Sequence, residues 1–270
     1  MQDVAKSRIE ELIRRGLSPD GKNLELENKR IGLEEIKFLR ESEEFPGLEK
    51  IFLGNNQLED EAVAVLVRPP VSQRLTHLYL NHNKIGDRGA RALADSPLAQ
   101  HLTCLMLEAN LLGPGGVEAL AQSPHLQNLE ILFLDSNPIG PQGATALANS
   151  EKLPRLHALH LDSAGIGDAG AMALARTRTL TALGKLYLCS NKIGDAGFMA
   201  LMNSESLQSL TALSIWRNEI RDAGGRALAE NNPFPNLERL YMSLNLIEKP
   251  VRKLIRQSAL AKRLTTLVMD

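Results

Sequence analysis

The sequence predicts an α/β solenoid, with a row of short parallel strands on one side, a row of helices on the other, and identical units stacked along one axis. Three observations predict it. A 27-residue period runs almost the whole chain without insertion or deletion, its first leucine recurring at Leu48, Leu75, Leu102, Leu129, Leu156, Leu183, Leu210, Leu237 and Leu264. A degenerate copy starts one period earlier, at Gly21 with Leu24, Leu26 and Ile31. Within each copy a short alternating stretch gives way to an alanine-rich helical one. Self-similarity at a fixed period in the twenties marks stacked supersecondary units, none of which buries a core alone.

Residues 1–20 are expected to form a helical cap and residues 21–270 the solenoid, nine full copies and a final strand. In the cap, Ile9 and Leu12 keep the helix register and are expected to face the first strand. Counting each copy from its first leucine, places 1, 4, 6 and 11 are apolar, as in Leu75, Leu78, Leu80 and Ile85. Places 3 to 5 alternate and predict a strand with place 4 inward and places 3 and 5 outward. The strands are expected near Asn23, Lys50, His77, Cys104, Ile131, Ala158, Lys185, Ala212, Arg239 and Thr266, in one continuous parallel sheet.

Place 9 is Asn at Asn56, Asn83, Asn110, Asn137, Asn191, Asn218 and Asn245. Its amide is suited to satisfy backbone groups of the turning loops, including those of a neighbouring copy. Lys29 and Ala164 interrupt the series, the first in a terminal copy and the second inside the array. Next come Gly86-Asp87, Gly167-Asp168 and Gly194-Asp195, a turn glycine and an expected acidic N-cap, replaced by Pro114 and Pro141 in two copies. The helix follows, as in Ala90-Arg91-Ala92-Leu93-Ala94, with the leucine at place 19 inward. A Ser/Pro-bearing return leads to the next strand. At the far end Lys262 and Arg263 precede a strand whose edge they are expected to protect from pairing.

A net charge of -1 and 43% hydrophobic residues give no general attraction to nucleic acid or to anionic membrane. The N-terminal stretch lacks the apolar core of a secretory signal, so a cytoplasmic location is expected. Cys104 and Cys189 fall three copies apart, beyond the roughly 7 Å between Cα atoms that a disulfide tolerates, and are expected as free thiols.

The run LxxLxLxxNxIGDxGAxALA, recurring over about residues 21–270, resembles the ribonuclease-inhibitor-like class of leucine-rich repeats. The resemblance implies a horseshoe with a concave parallel sheet and convex helices. That class includes nuclease inhibitors, the repeat part of Ran GTPase activators and sensing arms of immune receptors, and its members mostly bind proteins. The unvarying 27-residue length differs from the longer, alternating repeats of the mammalian nuclease inhibitor.

With places 1, 4, 6, 9 and 11 committed to structure, places 2, 3, 5, 7 and 8 are left to face solvent on the sheet. Of ten aromatic residues six lie there, namely Phe52, Tyr79, Phe133, Tyr187, Trp216 and Tyr241, where chance would place about two. Aromatic side chains suit any strand surface, but an exposed aromatic stripe is also what protein-binding faces present. Place 7 carries three consecutive acids, Glu108, Asp135 and Asp162. They either form a solvated rim or await a basic partner. Met106, Ile131, Phe133 and His160 complete the expected protein-binding set, with Glu130 on its border. Neither Phe133 nor Asp135 is expected to belong to the interior.

No nucleotide-binding loop or hydrolase elbow occurs, and Ser163 beside Asp162 has no triad around it. His157 and His160 with Asp135 and Asp162 imitate a metal site only crudely, about half a strand apart and without supporting partners. No catalytic, cofactor or metal role is expected. The reading is a scaffold that holds a protein partner, offering an acidic border to a basic surface around an apolar anchor. Two alternatives are an enzyme regulator (a nuclease inhibitor or GTPase activator, for which Arg217 and Arg221 are weak pointers) and a ligand-sensing fragment of a longer receptor.

Overall fold

The computed structural model describes residues 2–41, 47–68, 74–231 and 234–270. Its strands are β1 (Asn23–Glu25), β2 (Lys50–Phe52), β3 (His77–Tyr79), β4 (Cys104–Met106), β5 (Ile131–Phe133), β6 (Ala158–His160), β7 (Lys185–Tyr187), β8 (Ala212–Ser214), β9 (Arg239–Tyr241) and β10 (Thr266–Val268). They form one sheet in chain order. Every neighbouring pair is parallel, from Leu24 beside Ile51 to Leu240 beside Leu267. Each strand starts at place 3 and centres on place 4, one residue beyond the expected centre, because the inward side chain at place 4 is the one its neighbours flank. Among the described residues one antiparallel bridge, Leu17 to Leu24, joins the cap to the outer edge of β1 rather than two strands of the array.

The helices are α1 (Gln2–Gly16), α2 (Leu33–Glu41), α3 (Asp60–Leu66), α4 (Asp87–Ala94), α5 (Pro114–Gln122), α6 (Gly140–Ala148), α7 (Gly167–Ala175), α8 (Asp195–Met202), α9 (Asp222–Glu230), α10 (Lys249–Gln257) and α11 (Ala259–Arg263). From α1 to α10 each packs on the next. Helices are about 10 Å wide and strands about 4.8 Å apart, so stacking both in step bends the array with the sheet inside.

The core follows the places read from the sequence. Leu75, Leu78, Leu80, Ile85 and Leu93 are all at most 1% exposed, and the other copies repeat them. Phe198 and Phe234 join this interior. In the cap the inward pair is Ile9 and Ile13, with Leu12 half-buried, a shift of one residue from the expected register. Arg8 fixes the cap to the first copy through Glu35 at 2.7 Å.

Three rows of polar side chains hold successive copies together. In the first, Asn56 Nδ2 donates to Leu26 O and Leu53 O, both at 2.9 Å. Its Oδ1 accepts the backbone N–H groups of Lys29 and Ile31, so one amide serves two loops. Asn83, Asn110, Asn137, Asn191, Asn218 and Asn245 repeat this pattern, each reaching back to the preceding copy.

The second row corrects the expected N-caps. Asp87 is the first helical residue after an N-cap at Gly86, and no side chain caps that end. Asp87 Oδ1 instead accepts the N–H of Gly113 in the next copy at 2.6 Å. Asp60, Asp168, Asp195 and Asp222 do the same for Gly86, Gly194, Arg221 and Glu248. The carboxylate, in the first turn of its own helix, thus bonds to the positive N-terminal end of the neighbouring one. That approach explains the second glycine of the motif: a Cβ at Gly197 would lie 2.5 Å from Asp168 Oδ1 and 2.9 Å from its Cα.

The third row lies in the return. Ser96, Ser123, Ser150, Thr177 and Ser204 are buried, and each hydroxyl donates to a carbonyl at the end of the preceding helix. At the far end Arg263 does not guard the edge as expected. Its guanidinium donates to Phe234 O, Pro235 O and Leu237 O, closing the preceding return.

At Ala164 the first row has a gap. Leu53 O, Leu80 O and Leu107 O each receive two asparagine amides. Beside the gap the row supplies Leu134 O with Asn137 alone and Leu161 O with Asn191 alone. Ile139 N turns to Asn137 O in its own loop, and Gly140, at φ +62, donates to Ala164 O. The next loop has the same turn, with Gly167 at φ +57, yet still gives Ile166 N to Asn191 Oδ1. The turn therefore tolerates an asparagine. Ala164→Asn is expected to complete the row and raise unfolding stability by about 1 kcal/mol in urea titration. A loss would mean that the space beside Ala164 is already filled.

Candidate functional site

Places 5 and 7 form two lanes across the open face of the sheet. In register along place 5 stand Phe52, Tyr79, Met106, Phe133, His160 and Tyr187, all half-buried. Phe52 and Tyr79 stack with ring centres 4.4 Å apart and planes 4° from parallel. His160 sits between Phe133 at 4.0 Å and Tyr187 at 4.1 Å. Rings on adjacent strands thus cover one another's faces and show solvent their edges, a partial shielding that the sequence also allowed. Burial, then Lys185, holds the His160 imidazole down at about 4, a neutral ring suited to that stack. Met106 pairs with Phe133 across β4 and β5, and Ile131 lies on the same face, so the three fall in one apolar patch.

The acids of place 7 are less free than expected. Asp135 Oδ1 accepts the N–H of Asp162 at 2.7 Å, and Asp162 Oδ1 accepts that of Cys189 at 2.7 Å. Both carboxylates are half-buried and tie the end of one strand to the next. Asp135 therefore belongs partly to the structure, which corrects its assignment as a purely presented charge. Glu108 reaches outward, its Oε1 3.9 Å from the exposed His82 ring. Glu130, at place 2, is exposed.

Beyond the acids the place 7 lane changes character. Trp216 is 38% exposed, and with Tyr241, Leu244, Val268 and Asp270 it surrounds a recess of about 480 Å³ floored by Cys189, Ser214 and Ser243. Leu244 is 57% exposed. The sequence pointed to Trp216 and Tyr241 but not to this enclosure. The signal was there in Leu244 itself, a leucine at a place that elsewhere reads Asn28, Asn55, His82, Ala109, Ser136, Ser163, Ser190 and Arg217. All nine of these residues adopt a left-handed backbone, φ between 50 and 59.

Both cysteines are buried and free. Cys189 Sγ lies 3.0 Å from Ser214 Oγ, and burial pushes both thiols up to about 11. Such thiols are poor nucleophiles. Among the described residues, no three His, Cys, Asp or Glu side chains gather closely enough to hold a metal ion, and no helix is long and apolar enough to cross a membrane.

The acids carry a pH dependence. Burial, with Asp162 and Glu108 nearby, pushes Asp135 up to about 7, and burial also raises Asp162. An acid raised on folding holds its proton more tightly folded than unfolded. Its contribution to stability is full below about pH 4 and is lost as the pH rises through about 7. Asp135→Asn keeps the acceptor oxygen without the charge. Urea unfolding is expected to find it equal to wild type near pH 4 and about 1–3 kcal/mol more stable near pH 8. The same pH slope in both proteins would show that Asp135 ionises normally.

The family described as Leucine Rich repeat matches residues 71–94, 125–148, 153–175 and 206–229. No curated protein matches the chain. Four matched units, on a ten-strand parallel sheet alternating with helices, make the chain an α/β leucine-rich repeat solenoid.

Proposed function

We propose that this protein is an interaction scaffold of the ribonuclease-inhibitor-like class, holding a protein partner against the open face of its sheet. Leucine-rich repeats commonly serve as such scaffolds. One observation carries the reading here: Met106, Ile131 and Phe133 lie together at outward places between the acids of place 7 and Glu130. An apolar centre with a charged border is the anatomy of a protein contact, in which the centre supplies affinity and the border steers approach. The partner is one with lysine or arginine around an apolar anchor.

A partner captured on the immobilised chain is then titrated against variants. Phe133→Ala is expected to cost about 2 kcal/mol of binding, and about 1 kcal/mol of stability through the lost His160 stack, which parallel melts separate. Glu108→Lys and Glu130→Lys are expected chiefly to slow association, an effect that fades as salt rises. These two replace Asp135 as charge probes because its carboxylate also ties the backbone. Unchanged binding by folded variants would move the site off the centre of the sheet.

A further inference from the structure

The recess at Trp216 and the acids of Asp135 and Asp162 lie on one lane, and their spacing defines what fits both. Along place 7 the order is Glu108, Asp135, Asp162, Cys189, Trp216, Ser243 and Asp270, one residue per strand. The walls of the recess are largely apolar, with Leu244 well exposed and the acid Asp270 also in the lining. Its floor holds an unsatisfied group: Ser243 is 4% exposed, and its Oγ has no hydrogen-bond partner. A buried hydroxyl left unpaired costs stability unless something arriving from solvent bonds to it. A recess with largely apolar walls over a floor that includes an unpaired hydroxyl suits an apolar side chain.

The charges around the lane set the direction. Arg217 stands exposed beside Trp216, and Lys185 and Arg239 lie on the far side of the aromatic lane. Asp270 lines the recess and offsets Arg217 there, so the recess itself sets no preference, while the unbroken run of Asp162, Asp135 and Glu108 favours cations of an occupant. The raised affinity of Asp135 for its proton fits the same picture, since a cation placed over the lane would restore the ionised form.

We propose that place 7 binds an extended segment of a partner protein, whose bulky apolar side chain fills the Trp216–Leu244 recess while arginine or lysine residues about three to six positions away lie over Asp162 and Asp135. The spacing comes from geometry. The recess lies two to four strands from these acids, roughly 10–19 Å at about 4.8 Å per strand, and an extended chain covers about 3.3 Å per residue. The inference rests on the scaffold reading and gives it a partner class.

The probe is a fluorescent, unstructured peptide carrying two arginines four and six residues from a single leucine, so that all three side chains share one face of the extended chain, used with the full chain. Controls place the leucine next to the arginines, or replace the arginines with glutamate. The spaced peptide is expected to bind at least about tenfold more tightly than either control, with an affinity that falls as salt rises. Trp216→Ala and Leu244→Asn are each expected to weaken it by about tenfold; asparagine suits the left-handed backbone at that place. Asp162→Asn, which keeps the acceptor for the Cys189 N–H, is expected to weaken it similarly and to flatten the salt dependence. Ser243→Ala is expected to cost a few-fold. No saturable binding up to about 1 mM, equal binding of all three peptides, or wild-type affinity in the folded Trp216 and Leu244 variants would overturn the proposal. So would sedimentation showing that those variants only dissolve a dimer, which would assign the recess to a second copy. If Phe133→Ala abolishes binding of a captured partner while the recess variants do not affect it, the scaffold reading stands and this one fails.

Discussion

The side-chain amide at place 9 is the interaction on which the rest of the solenoid depends. Each copy turns its chain sharply between strand and helix, and it does so among buried residues. Backbone groups stranded there are costly, on the order of 1–3 kcal/mol each. Asn56 answers for four of them with one side chain, one in its own copy and three in the copy before. Because both loops are satisfied by the same amide, the copies are forced into one register. The parallel sheet with partners one period apart is the visible result.

The aspartate and serine rows apply the same solution at larger radius. Asp87 sits at the neighbouring helix N-terminus, and Ser96 at a neighbouring helix C-terminus, so both ends of the helical layer are tied across copies. The layer thus needs little helix propensity of its own. Where proline takes the aspartate's place, at Pro114 and Pro141, it stands at the start of its helix and supplies a fixed φ there.

Much of this was legible because the period is strict. Leu78, Leu80, Ile85 and Leu93 could be assigned inward from repetition alone, and so could the asparagine row. What repetition left open was the partner of each polar side chain. Asp87 reads equally well as a cap for its own helix, and only the lateral spacing of helices shows that the nearest unpaired N–H belongs to Gly113. The same applies to Asp135, whose sequence position marks it as outward but does not reveal that its oxygen is taken by the Asp162 backbone. Arg263 looked like an edge guard and is a carbonyl clamp. On the open face, the aromatic lane was readable and its stacking was not, because stacking depends on rotamers rather than on place.

The division of places also explains how such a chain acquires a site without disturbing its fold. Place 5 carries a ring or another bulky side chain in most copies, but Ser214 leaves a gap there, and Trp216 fills the outward place beyond it. Small residues at Cys189, Ser214 and Ser243 then form a floor, while Trp216, Tyr241 and Leu244 rise around it. None of these changes touches places 1, 4, 6, 9 or 11, so the core of β8 and β9 is the same as that of β3 and β4. The cost falls on one unpaired hydroxyl at Ser243 and on exposed apolar area at Leu244. Both are liabilities for an isolated protein, and both are relieved by an occupant that brings a polar atom and an apolar side chain together.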